Sequence, residues 1–538
     1  MDDIPPYPPI DPTTFDLIVI GTGLPESIIA AASSTASKSV LHLDPNPFYG
    51  SHFSSLPLAD LPSFLSSHST SPSPPRSPSS DDPNEFSLLE FATRPLYSST
   101  DISTFSPNLL DQHSRKFNLD VAGPRVFFCA DKSIELLLRT GTNQYMEFKS
   151  VDATFVGDNK GNLWSVPDSR AAIFKDKSLG LVEKNKLMRF FKLVQGHLAG
   201  EQDIKICEED LQSPFVDFLN KMGLPPKIKS FILYAIAMAD YDQEDTGVCR
   251  DLLKTKDGID QLALYNASIG RFQNASGAFL YPIYGQGELS QAFCRRAAVK
   301  GCLYVLRMPV TALLVDKVTL PSGSSPPLPL KEKLPFFSLK DDKGKIARGI
   351  CITKTSLKPD ISNFLVVYPP RSLFPEQVTS IRLLQIASNL AVCLPGMFVL
   401  YISALCNDDD QGKKLIHAVM NTLLTVPLDS ESNAAVQSET AENGSAVQDE
   451  TSESSSGGPS DSGEEKPTLL WSALYSQELT LGQVDFICST PMPDGKLNYN
   501  DLIDTTFKIF QEIYPGEEFF PETSLENPEG DGDASPET

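Results

Sequence analysis

The feature that most constrains the fold is a glycine loop near the start of the chain. Residues 15–20 have the apolar composition of a buried strand and lead directly into Gly21-Thr22-Gly23. The sequence then predicts an Ala- and Ile-rich helix over 24–36 and a second short strand over 39–44. A strand, glycine loop, helix and strand within about thirty residues are typical of the beginning of a dinucleotide-binding, Rossmann-type α/β domain.

The same loop argues against a bound dinucleotide. The fingerprint requires glycine at positions 21, 23 and 26, but the third position is Glu26. A carboxylate is favourable at a helix N-terminus, yet at ~4 Å it would repel a pyrophosphate by about 4 kcal/mol. Asp44, at the end of the second strand, either binds a ribose hydroxyl or caps the turn that follows it. We therefore predict the fold of a dinucleotide enzyme with a degenerate loop and no cofactor.

Composition divides the rest of the chain. Helical periodicity between about 168 and 270, including one helix over 227–239, predicts a smaller helical domain inserted into the α/β domain. Three segments rich in Ser, Pro or acidic residues have the composition of disordered chain. The predicted order is α/β domain 1–165 with a disordered insertion at 66–85, helical domain 166–270, α/β domain 271–428, disordered acidic linker 429–466, α/β domain 467–521 and disordered acidic tail 522–538.

The net charge of −24 is concentrated in two of these segments. Residues 429–465 and 517–538 together carry eighteen acidic and no basic residues, which leaves about −6 on the remaining chain. No basic stripe interleaved with aromatic residues occurs, so we expect no nucleic-acid partner. The nine cysteines form no CxxC pair, which favours reduced thiols in a cytosolic protein without a metal site. The acidic, proline-rich start is unlike a signal peptide and fits the same compartment.

Longer blocks carry a family resemblance. GTGLPE at 21–26, LHLDPNPFYG at 41–50, the stretch 117–155 and YPIYGQGELSQ at 281–291 occur in the order of the GDP-dissociation inhibitor and Rab escort superfamily, which this chain resembles over most of 15–355 and more thinly over 468–521. The resemblance implies an FAD-oxidoreductase-like fold that has lost its cofactor. It also implies a protein that binds Rab GTPases and has no catalytic residues of its own.

Several features look more like the escort class than like the inhibitors. They include Gln286, the Phe293-Cys294-Arg295 sequence, and the blocks around Trp471 and Phe510. An escort protein would bind unprenylated GDP-bound Rab and present it to the α/β heterodimer of Rab geranylgeranyltransferase. It would then shield the prenyl lipid and deliver the Rab during a transient membrane contact. The alternatives are an inhibitor that recycles prenylated Rab and, third, an FAD-dependent amine-oxidase-type enzyme.

Residue roles follow from the resemblance, position by position. Tyr49, Arg271, Tyr284, Glu288 and Arg295 match the Rab-binding platform, although Tyr49 could be a core tyrosine and Glu288 and Arg295 a local ion pair. Arg and Tyr are residue types that often dominate interface energetics.

A further position concerns the transferase. Phe215 matches an aromatic side chain that escort proteins press into the transferase, so we expect it to be exposed, with ordinary helix packing as the alternative. The apolar helical residues Ile228, Ile232, Ala235 and Ile236 could likewise line a prenyl-accepting cleft or form core. The sequence contains no GxSxG, HExxH, P-loop or CxxC motif, and we therefore expect neither catalysis nor a metal.

Overall fold

A computed structural model describes most of the chain. The described residues are 9–69, 86–90, 95–167, 173, 179–201, 204–245, 249–316, 344–427, 466–479 and 488–521. The start predicted for the Ser/Pro insertion, at residue 66, is too early, because a helix runs to Ser67 and residues 66–69 belong to ordered structure. The remainder of that insertion at 70–85, the acidic linker at 429–465 and the acidic tail at 522–538 lie outside the described residues.

The described strands and helices follow one another in a mixed α/β order. The strands are β1 Leu17–Ile20, β2 Val40–Asp44, β3 Ser55–Leu56, β4 Phe86–Glu90, β5 Tyr97–Thr104, β6 Leu119–Asp120, β7 Phe127–Phe128, β8 Phe148–Val151, β9 Ala153–Gly157, β10 Leu163–Ser165, β11 Phe279–Pro282, β12 Leu303–Leu306, β13 Ala312–Asp316, β14 Lys345–Thr353, β15 Phe364–Tyr368, β16 Ile381–Ala387, β17 Phe398–Cys406 and β18 Leu469–Glu478. The α-helices are α1 Leu24–Thr35, α2 Leu61–Ser67, α3 Pro107–Asp111, α4 Lys132–Thr140, α5 Leu181–Leu198, α6 Glu208–Gln212, α7 Phe215–Lys221, α8 Pro226–Ser230, α9 Thr255–Ser268, α10 Gly287–Val299, α11 Asp409–Leu423 and α12 Asn500–Ile513.

The beginning of the chain forms the predicted Rossmann-type unit. Strands β1, β2 and β12 make a parallel sheet with β2 in the centre, and helices α1 and α10 pack together beside it. Gly21 has φ +93°, which only glycine adopts readily, so the chain can turn from β1 into α1. This arrangement confirms the fold class read from the glycine loop, and it brings β12 from the middle of the chain next to β2.

A second, larger sheet has eight strands in the order β10-β9-β15-β16-β17-β14-β18-β5. Its neighbours are antiparallel except for the parallel pair β9 and β15. The central strands are buried on both faces, as their nearly continuous Val, Ile and Leu runs require. Helix α11 covers one face, and its N-terminus is capped by the Asp408 carboxylate, which accepts the Gln411 N–H at 2.8 Å.

The helices α5 to α9, between Leu181 and Ser268, share one apolar core with the large sheet. The single helix expected over 227–239 is divided, because α8 continues as a π-helical turn over Phe231–Ile236. Ile228, Ile232, Ala235 and Ile236 are all at most 4 % exposed, so in this conformation they form core and leave no open cleft. The π-helical turn contacts strands β9 and β15 of the large sheet, and periodicity within the segment does not predict such a contact.

Candidate functional site

One face of helix α10 borders a surface cavity of about 350 Å³. The helix contributes residues spaced three and four apart, and three tyrosines from other segments complete the wall. The lining residues are Tyr49, Tyr145, Glu288, Gln291, Ala292, Cys294, Arg295, Ala298 and Tyr304. Three of the five predicted platform residues, Tyr49, Glu288 and Arg295, therefore come together in one place.

Tyr49 is held by the loop that follows β2. Gly50 adopts φ +105°, and its N–H donates to the Thr22 carbonyl at 3.1 Å and to Thr22 Oγ1 at 2.9 Å. The Tyr49 ring meets Tyr304 edge-on with ring centroids 5.6 Å apart. Partial burial raises the pKa of Tyr49, so its hydroxyl is a neutral donor at the cavity wall. Tyr49 is neither a core residue nor a fully exposed one, which suits an interface.

Glu288 and Arg295 lie two turns apart on α10 without forming an ion pair with each other within the described structure. Glu288 is half-buried; burial raises the pKa of its carboxyl, and Gln291 Nε2 donates to it at 3.4 Å. The Arg295 guanidinium lies 4.8 Å from the centroid of the Tyr145 ring. The alternative of a local ion pair is thus not what the structure shows. Both charges remain available to a partner.

Tyr284 and Arg271 do not line the cavity. Tyr284 is 55 % exposed and has φ +73°; its N–H donates to the Leu390 carbonyl at 2.9 Å, and its carbonyl accepts Asn118 Nδ2 at 2.6 Å. Arg271 follows the end of α9 and lies over its neighbour Phe272, 5.8 Å from the ring centroid. Their assignment to the platform therefore remains a prediction that the cavity does not support.

A buried network fixes the turn that leads into α10. The Asp120 carboxylate accepts Ser55 Oγ at 2.6 Å, the Tyr281 hydroxyl at 2.5 Å and the Gln286 N–H at 2.9 Å. Burial raises the pKa of Asp120 to about 6 although these donors oppose the shift. Gln286, singled out as an escort-type residue, is itself buried, and its Nε2 donates to the Arg125 carbonyl at 2.8 Å. These residues position the platform without facing a partner.

The Gly21–Gly23 loop has its own hydrogen-bond partners. Asp44 Oδ2 accepts the Thr22 N–H and Thr22 Oγ1, both at 2.7 Å, and Ser51 Oγ at 2.8 Å. Its other oxygen accepts the Asn46 N–H at 2.7 Å. Asp44 is completely buried, so the carboxylate caps the turn and has no free face for a ribose. Of the two roles left open by the sequence, the capping role is the one the structure shows.

Glu26 occupies the space over the loop. Its side chain folds back so that a Cβ added at Gly23 would lie 2.5 Å from Glu26 Oε2, while the Thr490 hydroxyl donates to Oε1. Burial raises the pKa of Glu26 to about 7. A pyrophosphate approaching the amides at this helix N-terminus would meet this carboxyl group. The residues present therefore do not fit the dinucleotide that the fold would otherwise accommodate.

The loop and the cavity are connected through the sheet. His42 Nε2 donates to the Gly21 carbonyl at 2.6 Å, and the His42 ring lies 4.9 Å from that of Tyr304. Burial lowers the pKa of His42 to about 4, so the ring is neutral and structural, as expected for a histidine in a buried strand. Tyr304 forms part of the cavity wall, and the sequence reasoning missed it together with Tyr145. Both come from segments far from α10, and no local pattern marks them.

The structure contradicts the prediction of an exposed Phe215. Phe215 is fully buried at the first turn of α7, where its N–H donates to the Leu253 carbonyl at 2.8 Å. Its ring packs against α9 so closely that a Cβ added at Gly258 would lie 2.3 Å from Phe215 Cδ1. The ring fills the space beside Gly258, which has no side chain, and the structure therefore shows the alternative of ordinary helix packing. A transferase contact through this ring would require it to leave the core.

The described residues contain no cluster of His, Cys, Asp or Glu that could hold a metal. Cys294, the thiol in the cavity wall, is buried, and burial raises its pKa to about 12, which makes it a poor nucleophile. None of the helices within the described ranges is long and apolar enough to cross a membrane.

Comparison with known proteins agrees with this picture. The sequence profile of the family described as GDP dissociation inhibitor matches residues 11–78 and 94–446. Rab escort protein 1 of Arabidopsis thaliana is 54% identical over an alignment that covers 97% of this chain and 96% of that protein. The chain belongs to the GDP dissociation inhibitor and Rab escort family.

Two further relatives of this family extend the comparison. Rab proteins geranylgeranyltransferase component A of Drosophila melanogaster is 28% identical, covering 95% of this chain and 90% of that protein. The crystal structure of Rab GDI from Plasmodium falciparum superposes with a TM-score of 0.62 at 17% identity, covering 93% of this chain and 98% of that one. The resemblance and fold class predicted from the GTGLPE, LHLDPNPFYG and YPIYGQGELSQ blocks are confirmed.

Proposed function

We propose that this protein is a Rab escort protein: it binds newly made Rab GTPases in the GDP form and presents them to Rab geranylgeranyltransferase. The observation that carries the proposal is the 54% identity to Rab escort protein 1 over nearly the full length of both chains. The relative named as a component of the geranylgeranyltransferase supports the same choice over an inhibitor that only recycles prenylated Rab.

The α10 cavity supplies the chemistry for the GTPase contact. It offers one carboxylate, Glu288, and one guanidinium, Arg295, on a wall of three tyrosines. Aromatic and arginine side chains in a concave, partly desolvated patch are the groups that carry most of the energy of protein interfaces. The Asp120 network fixes the turn that leads into α10, which reduces the ordering that this side of the interface needs when the partner binds.

The transfer reaction itself is assigned to the partner. The part of the chain that the structure describes holds no candidate metal cluster, and its cavity thiol is buried. The contribution of this protein is positional: a Rab held on the platform keeps its flexible C-terminal cysteines at high effective concentration near the transferase. The protein then shields the attached lipid in the cytosol until the complex reaches a membrane.

An in-vitro prenylation assay tests the proposal. A Rab ending in two cysteines, the transferase heterodimer and labelled geranylgeranyl diphosphate are combined with and without this protein. We expect lipid transfer to depend on it. If transfer proceeds equally well without it, while the protein extracts prenylated Rab from membranes, the protein is a GDP-dissociation inhibitor and the proposal is wrong.

A further inference from the structure

Tyr145 enters the wall of the α10 cavity from a segment that has its own internal support. It is the last residue of a 3₁₀ turn, Thr142–Tyr145, which follows the C-terminus of α4. Gly141 makes the turn possible with φ +68°. Thr142 is completely buried, and its hydroxyl oxygen lies 2.7 Å from that of Thr140. The half-buried Tyr145 ring is therefore held by contacts that are in place before a partner binds.

Arg295 reaches the same wall from α10. Its side chain is exposed, and its guanidinium lies 4.8 Å from the centroid of the Tyr145 ring. Glu288, on the same helix face, does not pair with Arg295 within the described residues; it accepts Gln291 Nε2 instead. The Tyr145 ring is thus the group that restrains this guanidinium from outside its own helix.

This kind of restraint leaves the arginine able to bind. The attraction between a cation and the face of an aromatic ring requires no hydrogen bond, so the guanidinium keeps its N–H donors. An arginine that is free in solution loses rotamer entropy when a partner immobilises it. A ring that orients the guanidinium beforehand reduces that loss and strengthens the contact that follows.

We propose that Tyr145 is a positioning residue for the GTPase contact: its ring holds the Arg295 guanidinium at the cavity wall, with the N–H groups directed to acceptors on the bound Rab. The inference rests on the proposed function, because it requires Rab to bind at this cavity. It gives a role to a residue that the family blocks did not mark as part of the platform. Tyr145 acts through Arg295, so the two side chains must be coupled energetically.

A double-mutant cycle with the full-length protein tests this coupling. Titration calorimetry with GDP-bound Rab measures each affinity. Tyr145→Leu should weaken binding about fivefold, whereas Tyr145→Phe should stay within about twofold of the unmodified protein, because the ring face makes the contact. In an Arg295→Met background, Tyr145→Leu should have almost no further effect, since the group that it positions is absent.

A matched control removes the same kind of contact elsewhere. Lys414 Nζ lies 4.5 Å from the centroid of the Phe374 ring, outside the α10 cavity. Phe374→Leu should leave the affinity for Rab unchanged. An equal loss in Phe374→Leu, or a loss in Tyr145→Phe as large as in Tyr145→Leu, would overturn the proposal. So would an undiminished effect of Tyr145→Leu in the Arg295→Met background, which would mean that Tyr145 acts independently of Arg295.

The prenylation assay keeps the two proposals apart. Tyr145→Leu should raise the apparent KM for Rab and leave kcat unchanged, because positioning acts on binding. If the unmodified protein binds Rab with the expected coupling but never supports prenylation, only the proposed function fails. If it supports prenylation while the Tyr145 and Arg295 substitutions act independently, only this inference fails. If it binds no GDP-bound Rab, both are wrong.

Discussion

At the scale of single residues, two arginines that the sequence placed on one platform have different surroundings. Arg295 lies over Tyr145 in the α10 cavity, whereas Arg271 lies over its own neighbour outside that cavity. The family resemblance assigns both positions to the platform, because a pattern records residue types and not which side chains converge. The structure therefore supports Arg295 as a platform residue more strongly than Arg271.

This ranking predicts the outcome of a matched pair of substitutions. Arg295→Glu should weaken Rab binding by at least about tenfold, because it removes a cation from the cavity and places two carboxylates on one helix face. Arg271→Glu makes the same charge change and should alter affinity only about twofold. Titration calorimetry with GDP-bound Rab measures both. Equal losses would mean that the platform extends beyond the cavity.

Glu26 predicts a pH dependence of stability. Its pKa rises from the usual 4.5 to about 7 on folding because the carboxyl is buried. Below pH 4.5 both states hold the proton, and as the pH rises to 7 the unfolded chain releases it first, which lowers the free energy of unfolding by up to about 3 kcal/mol.

Glu26→Gln retains the neutral form and tests this account. The variant should be more stable than the unmodified protein at pH 8 and should lose most of that advantage at pH 4.5, as measured by urea unfolding. Glu135→Gln, an exposed first-turn glutamate of α4, is the control. An advantage that is the same at both pH values would exclude a buried, titrating Glu26.

At the scale of elements, the contact between α7 and α9 predicts the sign of a change in stability. That sign distinguishes a buried Phe215 ring from an exposed one. Alanine in place of a helical glycine usually stabilises a protein by up to about 1 kcal/mol. Gly258 is an exception, since its added Cβ would lie 2.3 Å from the Phe215 ring. Gly258→Ala should therefore destabilise the protein by about 1–3 kcal/mol in chemical unfolding. Stabilisation would show that Phe215 points outward, as the sequence-based prediction had it.

These elements show how much of the fold and of the site can be predicted from the sequence alone. The β1–α1–β2 unit was predictable because its signals are local: an apolar run, Gly21 and Gly23, and an Ala-rich helix. The α10 face of the cavity was also within reach, since Glu288 and Arg295 share one helical stripe with Gln291, Ala292 and Ala298. In both cases the information lies within a few turns of chain.

Long-range contacts account for what was missed. Tyr145 and Tyr304 reach the cavity from separate segments, and Asp120 meets Gln286 across 166 positions. The division of the expected 227–239 helix by a π-helical turn and the burial of Phe215 likewise depend on partners distant in sequence. Periodicity within a single segment does not predict contacts with such distant partners.

At the scale of the whole molecule, the segment at 493–498 is held by buried side chains of the α/β core. Arg348 donates to the Asp494 carbonyl at 3.0 Å and to the carbonyls of Ala122 and Gly123 at 2.9 and 2.8 Å. Arg125 donates to the Asn498 carbonyl at 2.9 Å. These arginines bring three distant parts of the chain together by satisfying backbone groups that are buried from water.

Strand β14 offers a test with an internal control. Arg348→Met should cost about 2–4 kcal/mol of unfolding free energy, because it removes the donor to the buried carbonyls of Ala122 and Gly123 and to the buried Gln477 Oε1. Lys345→Met, on the same strand, removes ion pairs to Asp409 and Glu478 that water can screen, and should cost at most about 1 kcal/mol. Similar losses would contradict a structural role for Arg348.

The contact between Glu26 and Thr490 has a consequence for the order in which the protein is made. The two residues are separated by 464 positions, so the glycine loop leaves the ribosome long before its partner exists. At roughly 5–20 residues per second, about 20–90 seconds of translation pass between them. The first unit of the fold to be synthesised is therefore among the last to be completed, and during that interval the unfinished sheet exposes edges of the kind that are prone to aggregation.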